Sequence, residues 1–306
     1  MIEPKTDQSI MLADGRRLGF AEYGDPAGQP VLHFHGSAGS RLDHPAGEEI
    51  LWKQAIRFIA VERPGHGLSD FQSKRRLVDW PKDVSQLADQ LGLKTFYVEG
   101  WSAGGPHALA CAWGLPDRVR AVALIASAAP MRRDSALSGL PFLNRLLAAS
   151  ARWTPPVTYL IRWLTRRMVL DDAQQASQRV MASIPEADKA ALYSPDNLAA
   201  FVQSIQEGYR QGWRGVALDD VIINRDWGID LSTINVPVDI WHGDADVNVP
   251  ISAGLYLAAA LPKARMFTLP GEGHFFVLQR WGEVLAALVS PQYAGRETAT
   301  GGEWTG

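Results

Sequence analysis

The chain carries a single cysteine, Cys111, in 306 residues. No internal disulfide can form, so packing and polar contacts must hold the fold. Cys111 lies in an apolar segment and is expected to be a small core residue. No apolar run reaches the length of a membrane-spanning helix. The first eight residues, MIEPKTDQ, have neither a basic start nor an apolar centre, and so do not read as a secretory signal. Neither sign of charge dominates: 30 Lys and Arg stand against 33 Asp and Glu, a net charge of −3. Nothing in that balance calls for a nucleic acid or an anionic membrane surface as partner. No Cys/His group has metal-ligand spacing, and no organic cofactor is required by any motif. Internal repeats and low-complexity blocks are absent as well. The simplest expectation is a cytoplasmic globular protein, with monomer and homodimer equally open. The last stretch, residues 293–306, is rich in Gly and Thr and is expected to fray.

What is present is an ordinary globular balance, 46% hydrophobic and 21% charged. The length suits one large domain or a domain with an insertion. Ile10-Met11-Leu12, the turn Asp14-Gly15 and residues 17–23 read as an opening hairpin. Short apolar strands follow at 31–34 and 58–61. A helix starts at Asp79-Trp80-Pro81, with Val84, Leu87, Ala88 and Leu91 on one face. Residues 95–99 and 119–125 are further strands, with a helix over 105–112 between them. Strand and helix in alternation predict a parallel sheet with crossover helices. After about Ala129 strands give way to helical periodicity, at 142–153, 156–170 and 198–213. The rhythm returns with a strand at 236–241, a helix at 252–261, a strand at 265–269 and a helix at 276–288.

Gly100-Trp101-Ser102-Ala103-Gly104 lies between one of these strands and the next helix. A Gly-x-Ser-x-Gly in that place is a nucleophile elbow. The turn forces the serine into a strained backbone, and glycines two residues either side prevent collision. A serine hydroxyl is a weak nucleophile at neutral pH. It needs a histidine to take its proton and a carboxylate to orient the histidine. With the parts in the order Ser, acid, His, the choice narrows. Of the seven histidines only His242 and His274 follow the helical stretch. His242 precedes the acidic pair Asp244 and Asp246; His274 follows it and is the expected base. Either acid suits the third role, and both sit at the carboxyl end of a strand. An acyl-transfer oxyanion needs two backbone donors. Ala103, after the nucleophile, is one; Ser37, in His35-Gly36-Ser37-Ala38-Gly39, is the other.

Taken together these segments resemble the α/β-hydrolase superfamily of serine hydrolases with a helical cap. The resemblance rests on His35-Gly36-Ser37, Arg63-Pro64-Gly65-His66-Gly67-Leu68-Ser69, the elbow, Gly243-Asp244-Ala245-Asp246 with Val249-Pro250, and Gly273-His274-Phe275. It implies a mostly parallel central sheet flanked by helices, with the cap inserted after the sixth strand. The core would be residues 1–128 and 231–306, and the cap 129–230. It also implies Asp246 as the triad acid, since the family's acid lies three residues before the Val-Pro pair. The implied activity is cleavage of a small ester, lactone or thioester through an acyl-enzyme, with a small acyl compound as substrate. Ser102 argues against the epoxide hydrolases and haloalkane dehalogenases of the superfamily, which use Asp. The His-Gly-Gly-Gly loop of the hormone-sensitive-lipase-like esterases is absent. Phe275, where carbon–carbon hydrolases often have Trp, weakens that alternative.

Other readings remain: a lyase, an aminopeptidase of the same layout, or a ligand-binding receptor with a hydrolase-like site. Glu186, Asp196 and Glu207 lie in the insertion but are expected to be solvated charges. Arg162, Arg166 and Arg167 are expected on a solvated helix face. The tryptophans of the insertion, Trp153, Trp163, Trp213 and Trp227, are candidates to roof a pocket over Ser102. Any single one is expected rather to pack the insertion onto the core.

Overall fold

Strands dominated by Val, Ile, Phe and Ala and buried on both faces demand helices on either side. The computed structural model, which describes residues 3–44, 48–130, 142–170 and 173–294, has that arrangement. Its strands are β1 (Lys5–Met11), β2 (Arg17–Gly24), β3 (Gln29–Phe34), β4 (Ile56–Val61), β5 (Phe96–Trp101), β6 (Val119–Ile125), β7 (Val238–Gly243) and β8 (Ala264–Leu269). They form one eight-stranded sheet in the order β1-β2-β4-β3-β5-β6-β7-β8. The β1–β2 and β2–β4 pairs are antiparallel and the others parallel. Only the edge strand β1 alternates between exposed and partly buried residues, as one solvated face requires.

Two apolar layers sandwich the sheet. One joins Leu32, Phe34 and Val98 to the helices α2 (Trp80–Gln90), α3 (Gly104–Gly114) and α10 (Ile251–Ala260). Cys111 is buried in this layer. The other joins Val31, Phe58 and Tyr97 to α1 (Glu49–Lys53) and α11 (Val277–Leu288) through Leu51, Trp281 and Leu285. A short helix α12 (Pro291–Ala294) follows, so the stretch expected to fray is helical as far as Ala294. Residues 295–306 of that stretch lie outside the described residues.

Between β6 and β7 the described residues contain no strand. They form α4 (Phe142–Trp153), α5 (Pro155–Val169), α6 (Ala173–Ser183), α7 (Glu186–Leu192), α8 (Pro195–Gly208) and α9 (Arg214–Ile223). The helix expected over 198–213 ends early, at Gly208. Gly208 lies against the backbone of Ala38 and Gly39, and Gly212 turns the chain at φ 115° before α9. The tryptophans divide: Trp153 is 68% exposed and Trp227 is buried in the first apolar layer. Among the described residues no helix is long and apolar enough to cross a membrane.

Candidate active site

Parallel strands bring the carboxyl ends of β3, β5, β7 and β8 to one edge, and the loops leaving them carry the expected site residues. β5 stops at Trp101 and α3 starts at Gly104, so the chain reverses within two residues. Ser102 absorbs that turn at φ 55°, in the left-handed region that a residue with a Cβ enters only when its surroundings force it. The Ser102 N–H donates to the Ile125 carbonyl at 2.8 Å, which holds the strained residue against β6. The flanking glycines are needed for space. A Cβ on Gly100 would stand 2.5 Å from the Gly104 carbonyl carbon, and one on Gly104 would collide with the Phe34 carbonyl.

Asp246 and His274 meet across the loops after β7 and β8. His274 Nδ1 lies 2.7 Å from Asp246 Oδ2, and both side chains are buried. An ionised carboxylate only accepts, so Nδ1 carries the proton and Nε2 is left as the acceptor a base requires. The second oxygen of Asp246 is held by the N–H groups of Asn248 and Val249, each at 2.8 Å. Burial works against a charged imidazole, but the Asp246 carboxylate, with Asp188 behind it, outweighs burial and raises His274 above the ordinary histidine range. Burial instead pushes down His35, His66, His107 and His242. His242 Nε2 lies 2.8 Å from the Val249 carbonyl. Asp244 faces away from this pair and accepts from the Gly271 N–H at 2.7 Å. Trp101, next to Ser102, reaches His274: its Nε1–H donates to the His274 carbonyl at 3.4 Å and the rings lie 5.9 Å apart. Ser102 and His274 are not hydrogen-bonded to one another in this structure. Such bonds commonly close only around substrate.

The Ser37 loop stands on the other side of Ser102. A Cβ on Gly36 would be 3.7 Å from the Ser102 Cβ. Among the described residues neither the Ser37 N–H nor the Ala103 N–H has a protein acceptor, so both donors are unspent. Two arginines fix the loop, Arg63 fully buried and Arg162 half-buried. Arg63 donates to the carbonyls of His35 and Gly36, the latter at 2.9 Å, and its Nε pairs with Asp219 at 2.6 Å. Asp219, on α9, also takes Arg75 and His66. Arg162 on α5 pairs with Asp220 at 2.5 Å and donates to Ser37 Oγ at 3.0 Å.

Here the structure departs from expectation. Arg162 is not on a solvated face; its side chain is 13% exposed, and Arg166 reaches the Tyr209 carbonyl. Only Arg167 of the three is exposed, lying over Trp163. Glu207 is not free in solvent either: it pairs with Arg41 at 2.5 Å. Four residues of consequence carry no sequence signal: Asp188, Asp219, Asp220 and Arg162. Each is a surface-type residue in a helical stretch, buried by a partner far away in the chain. Among the described residues no group of three or more His, Cys, Asp or Glu side chains is placed to hold a metal ion.

Comparison with known proteins agrees with this fold. A 2-hydroxymuconate semialdehyde hydrolase of Pseudomonas putida is 27% identical over 291 residues, covering 91% of this chain and 91% of that protein. A non-heme haloperoxidase of Rhodococcus erythropolis is 27% identical, covering 92% of this chain and 97% of that one. Among solved structures, the enol-lactonase from Burkholderia xenovorans LB400 superposes with a TM-score of 0.67 at 19% identity, covering 92% of this chain and 99% of that chain. The family model for the α/β hydrolase fold matches residues 29–280, from β3 into α11. The chain belongs to the α/β hydrolase fold family.

Proposed function

We propose that the chain is a serine hydrolase that cleaves a small ester, lactone or thioester. The observation that carries the reading is the 2.7 Å contact of Asp246 with His274, at the same sheet edge as a serine held at φ 55°. In this reading Ser102 attacks the carbonyl carbon and His274 Nε2 takes its proton. Asp246 fixes the imidazole tautomer and stabilises the cation that forms. The oxyanion settles on the Ser37 and Ala103 N–H groups. Collapse expels the alcohol or thiol with the proton from His274. Water, deprotonated by the same imidazole, then releases the acid and frees Ser102.

The helical insertion acts as a lid over this chemistry in the same reading. Arg162 and Asp220 meet Ser37 from the insertion side. Trp213 packs beside Ala38 and Tyr209, close enough to that loop to shape an acyl pocket.

The test is a panel of chromogenic esters of graded acyl length, run on the wild type and on Ser102→Ala. We expect turnover to fall by about 10⁴-fold or more in the variant, with melting unchanged. A variant that keeps more than about a hundredth of wild-type turnover removes Ser102 from the role. Product analysis on a carbon–carbon substrate distinguishes the runner-up reaction.

A further inference from the structure

The buried acid that the triad does not use is Asp188. It lies on α7, within the helical insertion, and its side chain is fully buried. Its Oδ1 accepts from the Phe275 N–H at 2.7 Å, with the His274 N–H beside it. Oδ2 has no hydrogen-bond partner among the described residues. The carboxylate occupies the space that Gly273 leaves: a Cβ there would stand 2.5 Å from the Asp188 Cγ. So the loop that presents His274 has a glycine where a cross-chain acid must fit. The rest of α7 is seated on the same element. Gln279, on α11, donates to the Ala190 carbonyl at 3.2 Å, and Ala191 and Leu192 are buried with Phe275 and Phe276.

We propose that Asp188 is a positioning residue: it fixes the backbone of the His274 loop from the insertion and places a second negative charge beside the imidazole. The proposal rests on reading His274 as the base. The charged or titratable groups facing that imidazole are Asp246 from the loop after β7, His242 at the end of β7, and Asp188 from α7. His242 is pushed toward its neutral form by burial, so the carboxylates set the local field. As Ser102 gives up its proton, His274 becomes a cation, and two carboxylates then stabilise it instead of one. The loop and the insertion are thereby coupled: where α7 is not seated, the base loses one of its two anions.

Asp188→Asn and Asp188→Ser both keep an oxygen for the Phe275 N–H and remove the charge. Either variant that melts like the wild type decides the matter. Two readouts apply. The first is the pH profile of kcat/KM; the second is the NMR titration of the His274 ring C–H, which needs no turnover. Loss of a nearby anion makes the imidazole easier to deprotonate, so the acid limb and the ring titration should move to lower pH by about one unit. The plateau kcat should fall about tenfold with KM nearly unchanged. A lowered kcat with an unmoved ring titration overturns the proposal, because it leaves Asp188 a packing role alone. Failure of both variants to fold overturns it too, by assigning the residue to stability. Should Ser102→Ala stay active, the catalytic reading fails, yet the ring titration still reports on the pairing of Asp188 with His274.

Discussion

Asp244 and Asp246 stand two residues apart, and their partners give them different work. Asp246 holds the imidazole and two loop N–H groups. Asp244 ties the β7 loop to Gly271 in the β8 loop. Asp246→Asn should therefore lower kcat by about 10⁴-fold, because an amide favours the wrong imidazole tautomer. Asp244→Asn keeps an oxygen to accept from the Gly271 N–H and removes only the charge, so it should cost no more than about tenfold. Rates of both variants on one ester decide it, and the reverse ranking would hand the role to Asp244. The sign of the pH response follows from the same contact. In the proposed mechanism catalysis needs neutral His274, and its carboxylate neighbours raise it above the ordinary range. The acid limb of kcat/KM should thus lie above about pH 6.5, the ordinary histidine value. A limb below that value would show that another group governs it.

Elements show why part of the site was legible and part was not. Ser102, His274 and the acidic pair announce themselves because the chemistry proposed for them imposes local spacing: glycines around a sharp turn, a candidate base in the loop after a strand. The parallel strands were legible for a similar reason, since burial on both faces leaves continuous apolar runs. Arg162 sits in α5 amid an amphipathic pattern that suits a solvated face just as well. Contact with Asp220 on α9, 58 positions away, and with Ser37 draws it off the solvated face. Arg162→Ala should leave Asp220 buried without its cation, at a cost of about 3 kcal/mol. It also frees Ser37 Oγ, so kcat should drop more than KM rises. Arg162→Lys keeps the charge but not the fork, and should fall between the two. Unchanged kcat in a folded Arg162→Ala would disconnect α5 from the Ser37 loop.

At the scale of the molecule, buried charge joins the sheet to the insertion. Asp219 meets Arg63 and His66 from the loop after β4 and Arg75 farther along the chain. Burial opposes its ionisation, but the two arginines and His66 hold its carboxyl well below the usual range. Its contribution to stability is fully present above the unfolded value near 3.8 and is lost only as pH falls through the lower folded value. Asp219→Asn strands two guanidinium groups in the interior and should cost about 3–5 kcal/mol. Denaturant unfolding should give the same loss at about pH 7 and about pH 5. A loss that disappears at the lower pH would mean Asp219 is already protonated there. The Arg63–Ser69 motif is visible in the sequence, but nothing in the local sequence pairs it with Asp219 and Arg75. The parts of this junction lie far apart along the chain, and only the closed fold shows that they meet.

The sheet order has a bearing on biosynthesis. β3, β5 and β6 form the middle of the sheet, and β7 and β8 add to one side in chain order. A growing polypeptide can therefore set its strained serine among its neighbouring strands while the whole insertion, the proposed acid and the proposed base are still unmade. Domains form from the amino end during synthesis. At that stage the serine has the proposed oxyanion loop but no candidate proton acceptor. In the proposed mechanism reactivity would arrive only when the last quarter of the ribosome's product docks β7 and β8, so a stalled or clipped chain should be chemically silent.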